Sequence, residues 1–395
     1  MIIKPRIRGF ICTTAHPTGC AAHVQEQIDG TSPLANAPRK VLVVGASGGY
    51  GLASRVVTAF GGGAGTLGVS FEKAPTERKT GSAGWYNNRA FEGAAHARGL
   101  YARTFDGDAF SDAMKSRVVE EIRSSLGEID LLVYSLAAPV RQHPRTGEVY
   151  RSQIKPLGQI FHVKSLNVDK AEVSEVHLEP ATAEETAATV AVMGGEDWEF
   201  WIEALREAGV LAQGFKTVAY NYIGSELTWP IYWNATLGKA KEDLDRARAS
   251  IAGKLDDIEG EAHVAVLKAV VSQASAAIPV VPLYISVLFK VMKEAGNHEC
   301  ILEHVQRLFS QQLYGTGVRN IDDVGRIRVD DWELSAAVQD EVKRRWPLVS
   351  TENLEQLADL AGYRSDFLKI FGFGLEGVDY EADVDPLVAG IASKS

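Results

Sequence analysis

The stretch IYWNATLGKAK, residues 231–241, holds one tyrosine and two lysines close enough in sequence to do proton chemistry together. Lys239 follows Tyr232 by seven positions and Lys241 follows it by nine. A tyrosine hydroxyl can polarise a carbonyl or imine-like oxygen, and a nearby ammonium can tune that hydroxyl and hold a ribose. The pair therefore has chemistry to perform only if a dinucleotide site lies beside it.

The residues after Tyr232 have the pattern of a long helix. In residues 234–255, apolar side chains recur three or four positions apart, which is typical of a helix with one buried face. We expect this helix to begin after Tyr232, with Asn234 or Thr236 as its N-cap. Tyr232 would then lie in the loop after Pro230, from which it can fold back towards the helix.

The two lysines are predicted to lie on different sides of this helix. At about 100° per residue, Lys241 falls at the margin of the apolar face, whereas Lys239 points to the opposite, polar side. We therefore predict that Tyr232 works with Lys241, as a Tyr-x8-Lys pair. The ordinary alternative is a tyrosine that only packs, with a surface ion pair between Lys241 and Asp245.

The strongest local motif lies in the N-terminal part of the chain. VLVVGASGGYGLASRVV, residues 41–57, places Gly45, Gly49 and Gly51 between a predicted strand and a predicted helix. Glycine allows a sharp turn and a close approach to a pyrophosphate, which the free N–H groups at a helix start can bind. The motif predicts a dinucleotide site of the short-chain reductase type, and a tight turn without a ligand is the alternative.

Side chains at the ends of later strands fit the same site. Glu72 follows Gly51 by 21 positions, where a carboxylate can accept hydrogen bonds from ribose hydroxyls and repel a 2′-phosphate. This favours NADH over NADPH, although the basic residues at positions 73, 78 and 79 leave some use of NADPH open. Asp108 is placed to meet the adenine amino group or to serve as a helix N-cap. Tyr222 is a candidate substrate contact or a buried strand tyrosine.

These residues need a sheet to bring them together, and the sequence predicts one. Continuous apolar runs alternate with helical patterns, which indicates a parallel sheet covered on both faces, a doubly wound α/β fold. The predicted strands are KVLVVGA (40–46), TLGVSFE (66–72), YARTFDG (101–107), IDLLVYSLA (129–137), KTVAYNYIG (216–224) and HVAVLKAVV (263–271).

Composition limits the classes of partner. The chain has 395 residues, 46% of them hydrophobic and 23% charged, which describes a soluble globular chain with a large core. A formal charge of -10 argues against general binding of nucleic acid or anionic membranes. Cys12, Cys20 and Cys300 leave an odd thiol, and the first residues lack the apolar region of a secretory signal. We expect a cytoplasmic protein that acts on small molecules.

One segment is long enough to test whether the chain spans a membrane. Residues 269–289 run for 21 positions without a charge. Pro279 and Pro282, together with polar residues, would break a single spanning helix. We predict a strand, a loop and then a helix that ends near Gly296.

A group of potential zinc ligands lies near the N-terminus, at Cys12, His16, Cys20 and His23. Their C-x3-H-x3-C-x2-H spacing is unlike the paired knuckles of structural zinc sites. We therefore predict no metal site, and interpret these residues as buried thiols and ordinary polar histidines.

Motifs along nearly the whole chain resemble the trans-2-enoyl thioester reductase family, of the FabV and trans-2-enoyl-CoA reductase type. They are RGFICTTAHPTGC, GASGGYGLASR, GWYNNRAF, DAFSD, YSLAAP, VMGGEDWEFW, YNYIG, TWPIYWNATLGKAK, SQASAAIPVVPLY and DDWEL. The resemblance implies a monomeric, NADH-preferring reductase of short-chain dehydrogenase ancestry, with insertions and a helical C-terminal extension. Its substrate would be an enoyl thioester carried on acyl-carrier protein, which we prefer, or on coenzyme A.

The resemblance also implies a role for each site residue. Tyr232 would stabilise the enolate formed by hydride addition, Lys241 would hold the nicotinamide ribose and lower the pKa of the tyrosine, and Tyr222 would orient the thioester carbonyl. The implied NADH contacts are Gly45, Ala46, Ser47, Gly48, Gly49, Tyr50, Phe71, Glu72, Asp108, Ala109, Leu136, Ala137, Lys241, Val270, Val271 and Ser272.

We expect one large domain, 1–395, with the dinucleotide-binding and catalytic core in 38–300 and a mainly helical extension in 301–395. Two other functions stay open. A short-chain dehydrogenase acting on a ketone or alcohol would share the glycine turn but would need a Tyr-x3-Lys pair, which is absent around Tyr232. A nucleotide-sensing protein without catalysis would need only the dinucleotide half.

Overall fold

The computed structural model describes residues 1–387, and its centre is a seven-stranded parallel sheet in the order β13-β12-β11-β6-β3-β4-β5. Three antiparallel pairs, β1-β2, β7-β8 and β9-β10, lie outside it. The strands are β1 (Ile7–Arg8), β2 (Ile11–Cys12), β3 (Lys40–Val44), β4 (Gly65–Ser70), β5 (Ala102–Asp106), β6 (Ile129–Tyr134), β7 (Val140–Gln142), β8 (Val149–Arg151), β9 (Phe161–Asn167), β10 (Glu172–Leu178), β11 (Leu211–Asn221), β12 (Glu261–Val266) and β13 (Ile327–Arg328).

Helices connect the parallel strands and continue beyond the sheet. They are α1 (Pro17–Asp29), α2 (Gly49–Val56), α3 (Ala83–Ala97), α4 (Asp112–Glu121), α5 (Ala183–Met193), α6 (Glu196–Glu207), α7 (Thr236–Leu255), α8 (Gln273–Ala276), α9 (Val281–Glu294), α10 (Ile301–Arg307), α11 (Ala336–Arg345), α12 (Leu354–Leu357) and α13 (Leu360–Ile370). Three of them, α2, α4 and α10, continue directly into π-helical turns.

Strand β3 explains why the sheet is covered on both faces. Val41 and Val43 pack with α1, α2, α3 and α10, whereas Leu42 and Val44 pack with α4, α6 and α7. Side chains of a strand alternate between faces, so a continuous apolar run must be buried on both. The doubly wound α/β fold is therefore confirmed, and each predicted parallel strand is present with its ends shifted by a few residues.

A third apolar cluster joins the C-terminal helices to the N-terminal segment. It contains residues of α9, α11 and α13, together with Ile3 and Tyr232. Helix α10 packs instead against α2 of the sheet. The domain division at residue 300 stays a prediction, since the helices after it pack in two different places.

The uncharged segment at residues 269–289 forms the predicted loop and helix. Strand β12 precedes it, and α9 begins at Val281 with Pro282 in its first turn and ends before Gly296, which has a φ of 70°. A proline at this position costs nothing because its missing N–H has no partner in the first turn. Within residues 1–387, no helix is long and apolar enough to cross a bilayer.

The strand order fixes where a ligand can bind. Strand β3 lies between β4 and β6, so the chain continues to one side of β3 first and later returns to the other. In open α/β sheets this reversal leaves a crevice beyond the carboxyl ends of the strands. The glycine motif follows β3 at this end, and Tyr222 directly follows β11.

Candidate active site

The four glycines of the turn after β3 serve two different purposes. A Cβ at Gly45 would overlap the carbonyl of Ser135, and a Cβ at Gly51 would overlap the carbonyl of Gly45. Gly45 therefore lets the turn pack against the chain after β6, and Gly51 lets the start of α2 pack against the turn itself. Gly48 and Gly49, in contrast, have no heavy atom within 4 Å of an added Cβ. Their open backbone leaves room for a ligand.

The start of α2 can bind an anion. Gly48 occupies the N-cap and offers no side chain to the first N–H groups of the helix, while Gly49 has a φ of 52°. Free N–H groups and the helix dipole favour a phosphate here. Tyr50 contributes to this end only through its backbone, because its hydroxyl turns inward and donates to the Lys268 carbonyl at 2.8 Å.

Phe71 and Glu72 are the first two residues after β4. The Ser47 hydroxyl donates to Glu72 Oε1 at 2.6 Å, and the Ser82 hydroxyl donates to the other carboxylate oxygen. The carboxylate is thereby held beside the glycine turn. Phe71 is 82% exposed, an unusual position for a large apolar ring and one that suits an adenine face.

The other predicted nucleotide contacts lie at the same end of the sheet, after β5, β6 and β12. Asp108 is exposed, and its carboxylate accepts from the Phe110 N–H at 2.9 Å. The alternative that Asp108 caps α4 is wrong, because Ser111 is the N-cap and accepts from Met114 N–H. The remaining predicted contacts are buried (Ala46, Ala109, Val270, Val271), half-buried (Leu136, Ser272) or exposed (Ala137).

The N-cap of α7 lies between the two residues that were predicted for this position. Its N-cap is Ala235, so the expectation of Asn234 or Thr236 is wrong. The Thr236 hydroxyl lies within the first turn and is used elsewhere, since it donates to the Gln153 carbonyl and accepts from Lys155 N–H at 3.3 Å. The helix start is therefore fastened to the segment that follows β8, which local sequence cannot reveal.

The two lysines separate as the helical pattern predicted. Lys239 is exposed and forms an ion pair with Glu242 at 2.8 Å. The Lys241 ammonium turns to the protein body and donates to the Tyr220 carbonyl at 3.4 Å, near the end of β11. Burial lowers the pKa of Lys241 to about 8.

The alternative predicted for Lys241, a surface ion pair with Asp245, is not formed. Asp245 pairs with Arg326 at 2.8 Å and forms no ion pair with Lys241. Asp245 still acts through space, raising the pKa of Lys241 and opposing the larger effect of burial. Lys241 thus keeps its ammonium without a bound counter-ion among residues 1–387, a state suited to a ligand's hydroxyl groups.

Tyr232 lies against Tyr222 in an edge-to-face contact, with ring centroids 4.8 Å apart. Its side chain is 9% exposed, and its hydroxyl has no hydrogen-bond partner among the described residues. Burial raises the pKa of the phenol, so the expected lowering by Lys241 is wrong in its net direction. The phenol therefore stays protonated and available as a hydrogen-bond donor.

Two buried polar residues at this end of the sheet were missed by the sequence analysis. The side-chain amide of Asn221, the last residue of β11, is buried, and within residues 1–387 neither its oxygen nor its nitrogen has a partner. Glu333 accepts a hydrogen bond from the Tyr222 hydroxyl at 3.1 Å. Glu333 lies 111 residues after Tyr222 in sequence, and no local pattern links the two.

The residues present fit a bound dinucleotide. The open backbone at Gly48 and Gly49, the unpaired amide of Asn221 and the uncompensated ammonium of Lys241 all lie at the carboxyl end of the sheet. An orphaned buried amide costs free energy unless a ligand or water satisfies it. The crevice thus offers hydrogen-bonding partners for the phosphate, hydroxyl and amide groups of a ligand.

Three family models match the chain in succession. The NAD(P)H binding domain of trans-2-enoyl-CoA reductase matches residues 2–77, the catalytic region of trans-2-enoyl-CoA reductase matches 79–314, and the enoyl reductase FAD binding domain matches 321–384.

Curated relatives and solved structures agree with these models over the full length. An enoyl-[acyl-carrier-protein] reductase [NADH] of Tolumonas auensis is 58% identical over 98% of both chains. The crystal structure of Clostridium acetobutulicum trans-2-enoyl-CoA reductase with NADH aligns with a TM-score of 0.95 at 44% identity, covering 98% of each chain. That of the Treponema denticola enzyme with NAD aligns with a TM-score of 0.93 at 49% identity, also covering 98% of each.

The described residues 321–384 do not fit a flavin dinucleotide. A dinucleotide turn needs a glycine-rich link between a strand and a helix. Here the two-residue strand β13 is followed by seven residues without helix or strand before α11, and that helix packs its apolar face on α9. These described residues therefore do not form a flavin site of this kind.

Proposed function

The chain belongs to the trans-2-enoyl-CoA reductase family, and from this premise we propose that it reduces the 2,3 double bond of trans-2-enoyl thioesters with NADH. The pathway we propose is fatty acid synthesis, as in the relatives named enoyl-[acyl-carrier-protein] reductase. The proposal rests on the positions of Tyr232 and Lys241. Both lie at the carboxyl end of β11, at the same edge of the sheet as the glycine turn.

The nucleotide would lie along the crevice, from the glycine turn after β3 to Tyr232. N–H groups at the start of α2 would bind the pyrophosphate, Glu72 would accept from the adenosine ribose, and Lys241 would donate to the nicotinamide ribose. Bound NADH supplies the hydride that adds to the β-carbon of the substrate. The carboxylate of Glu72 supports a preference for NADH, because a 2′-phosphate beside it would be repelled.

Tyr232 would stabilise the charge that develops on the thioester oxygen. Its hydroxyl carries a proton and has no acceptor among residues 1–387, so it can donate to an enolate oxygen without first breaking another hydrogen bond. A donor already in place costs little reorganisation in a site that excludes water. A proton then adds at the α-carbon, which completes the saturated thioester. Tyr222, in contact with the Tyr232 ring, would orient the thioester carbonyl.

The competing functions have less support. A ketone or alcohol dehydrogenase of the short-chain type would need a lysine four residues after the tyrosine, where this chain has Thr236, whose hydroxyl is already bonded. A nucleotide sensor would not need the buried, unpartnered phenol. We also infer a monomer that acts in the cytoplasm, where the three free thiols stay reduced, and acyl-carrier protein as the preferred carrier.

The test is NADH oxidation by the purified protein with three substrates: a 2-enoyl group on acyl-carrier protein, the same group on coenzyme A, and a simple ketone. The proposal expects oxidation with both thioesters and none with the ketone. A higher kcat/KM for the carrier-protein thioester supports the preferred carrier. Oxidation that depends on the ketone, or no oxidation at all, overturns the proposed reaction.

A further inference from the structure

Glu333 is a fully buried carboxyl group that joins three parts of the active site. Its Oε1 accepts from the Tyr222 hydroxyl at 3.1 Å and from the Tyr284 hydroxyl on α9 at 2.8 Å. Its Oε2 accepts from the backbone N–H of Ala269 at 2.6 Å, one residue before the segment predicted to contact NADH. Glu333 thus touches both the substrate tyrosine and the nucleotide-binding loop.

Among residues 1–387, no cation forms an ion pair with this carboxyl. Lys268 lies nearby, but its ammonium is directed to the Ala269 carbonyl at 3.3 Å and forms no ion pair with any described carboxylate. The titratable groups that face Glu333 from the surrounding elements are Tyr50 on α2, Tyr222 after β11, Lys268 after β12, Tyr284 on α9 and Asp330 in its own loop. Burial dominates over all of them and raises the pKa of Glu333 to about 7.

A tyrosine hydroxyl has a single proton, so Tyr222 can donate to Glu333 or to a substrate carbonyl but not to both at once. While Glu333 is ionised, both of its partner phenols donate to it, so the Tyr222 proton is not available to a substrate carbonyl. Once Glu333 is protonated, its own O–H can donate to the Tyr222 oxygen. The Tyr222 proton is then released to point elsewhere.

Tyr284 cannot take this role, because its oxygen already accepts from the Gln339 side chain at 3.2 Å. Tyr222 has no second protein donor among residues 1–387, and its ring contacts Tyr232. A Cβ at Gly224 would press against the Tyr222 hydroxyl, so that glycine leaves just enough room for the hydroxyl to turn. The hydroxyl that is free to reorient is therefore the one next to the reacting atoms.

We propose that Glu333 is a positioning residue whose protonation turns the Tyr222 hydroxyl from the protein towards the thioester carbonyl. This rests on the proposed function, since it gives Tyr222 a substrate to face. Neutral Glu333 is the active form, and the ionised form withholds one hydrogen bond from the substrate. One hydrogen bond corresponds to about a tenfold change in rate.

The test is the pH profile of kcat/KM for the enoyl thioester in wild type and in Glu333→Gln. The Ala269 N–H needs an oxygen, so the glutamine would place its NH₂ towards the tyrosines and imitate the protonated acid. The ratio of wild type to Glu333→Gln should fall about tenfold over the whole titration, and about fivefold of this fall should occur between about pH 6 and about pH 8. Taking the ratio removes the effect of Lys241, which both proteins share. Glu355→Gln, an exposed matched change, should give a flat ratio.

A second variant keeps the proposal falsifiable if Glu333→Gln does not fold. Tyr222→Phe should lose activity at low pH and lack the step near pH 7, because no hydroxyl remains to be turned. A flat ratio for Glu333→Gln, or a step retained in Tyr222→Phe, overturns the role of Glu333 while wild-type activity upholds the proposed reaction. Wild type that never oxidises NADH with enoyl thioesters overturns the reaction, and the role of Glu333 with it.

Discussion

The glycine turn after β3 and the tyrosine centre after β11 lie at the same edge of one sheet, yet they are built in opposite ways. The turn uses consecutive residues with an open backbone at Gly48 and Gly49, and the exposed ring of Phe71 lies at the same edge, directly after β4. The tyrosine centre uses buried side chains from distant parts of the chain, with Glu333 brought to Tyr222 across 111 residues. A nucleotide is bound by backbone and shape, whereas proton chemistry requires side chains removed from water.

Burial is what gives the tyrosine centre its chemistry. Loss of solvation disfavours whichever form of a group is charged. It raises the pKa of Tyr232, lowers that of Lys241 to about 8 and raises that of Glu333 to about 7. Changes at the tyrosine end should therefore alter rate and pH dependence, while changes at the turn should alter which nucleotide binds.

The largest effect is expected from Tyr232→Phe. The variant keeps the ring contact with Tyr222 but removes the donor to the enolate oxygen, so kcat should fall by about 100-fold or more with NADH affinity little changed. Stopped-flow turnover and NADH fluorescence titration measure the two quantities. Tyr150→Phe, which loses only a bond to Glu148, serves as the control. Full turnover by Tyr232→Phe would remove the phenol from the mechanism.

The two lysines of α7 provide a matched pair of variants. Lys241→Met removes a half-buried charge that we propose holds the nicotinamide ribose, and kcat/KM should fall by about tenfold to 100-fold. Lys239→Met removes an exposed ion pair worth little and should leave kinetics unchanged. Steady-state kinetics with NADH and an enoyl thioester compare them. Equal losses in both variants would contradict the separation of the two faces.

Glu72→Gln tests the nucleotide end. The amide oxygen can still accept from Ser47, but the charge that repels a 2′-phosphate is gone, so the preference for NADH over NADPH should fall about tenfold. The ratio of kcat/KM for the two nucleotides measures it, with exposed Glu77→Gln as the control. An unchanged ratio would mean that another residue sets nucleotide choice.

The smallest effect concerns the pH dependence of NADH binding. Lys241 carries its charge below its pKa of about 8 and loses it above, so the KM for NADH should rise several-fold as the pH passes upward through that value. Lys241→Arg stays charged in this range and should lack the rise. A rise of the same size in the arginine variant would assign it to another group.

The difference between the two regions also explains what sequence reasoning could find. The turn, the positions of the parallel strands and the opposite faces of Lys239 and Lys241 follow from local spacing, and the structure confirms them. The N-cap of α7 and the partner of Tyr222 do not, because Thr236 is bonded to a distant segment and Glu333 arrives from a loop after β13. Local periodicity in the sequence cannot predict contacts between residues that meet only when the chain is folded.

The proposed reaction is hydride addition to the β-carbon of an enoyl thioester, stabilised by the phenol of Tyr232. The most direct measurement is the position of deuterium in the product after reaction of the purified protein with [4-²H]NADH and a 2-enoyl thioester. We predict deuterium at C3 of a saturated thioester, detected by mass spectrometry and NMR. Tyr232→Phe should form much less of this product. Deuterium on a carbinol carbon, or at C2, would contradict it.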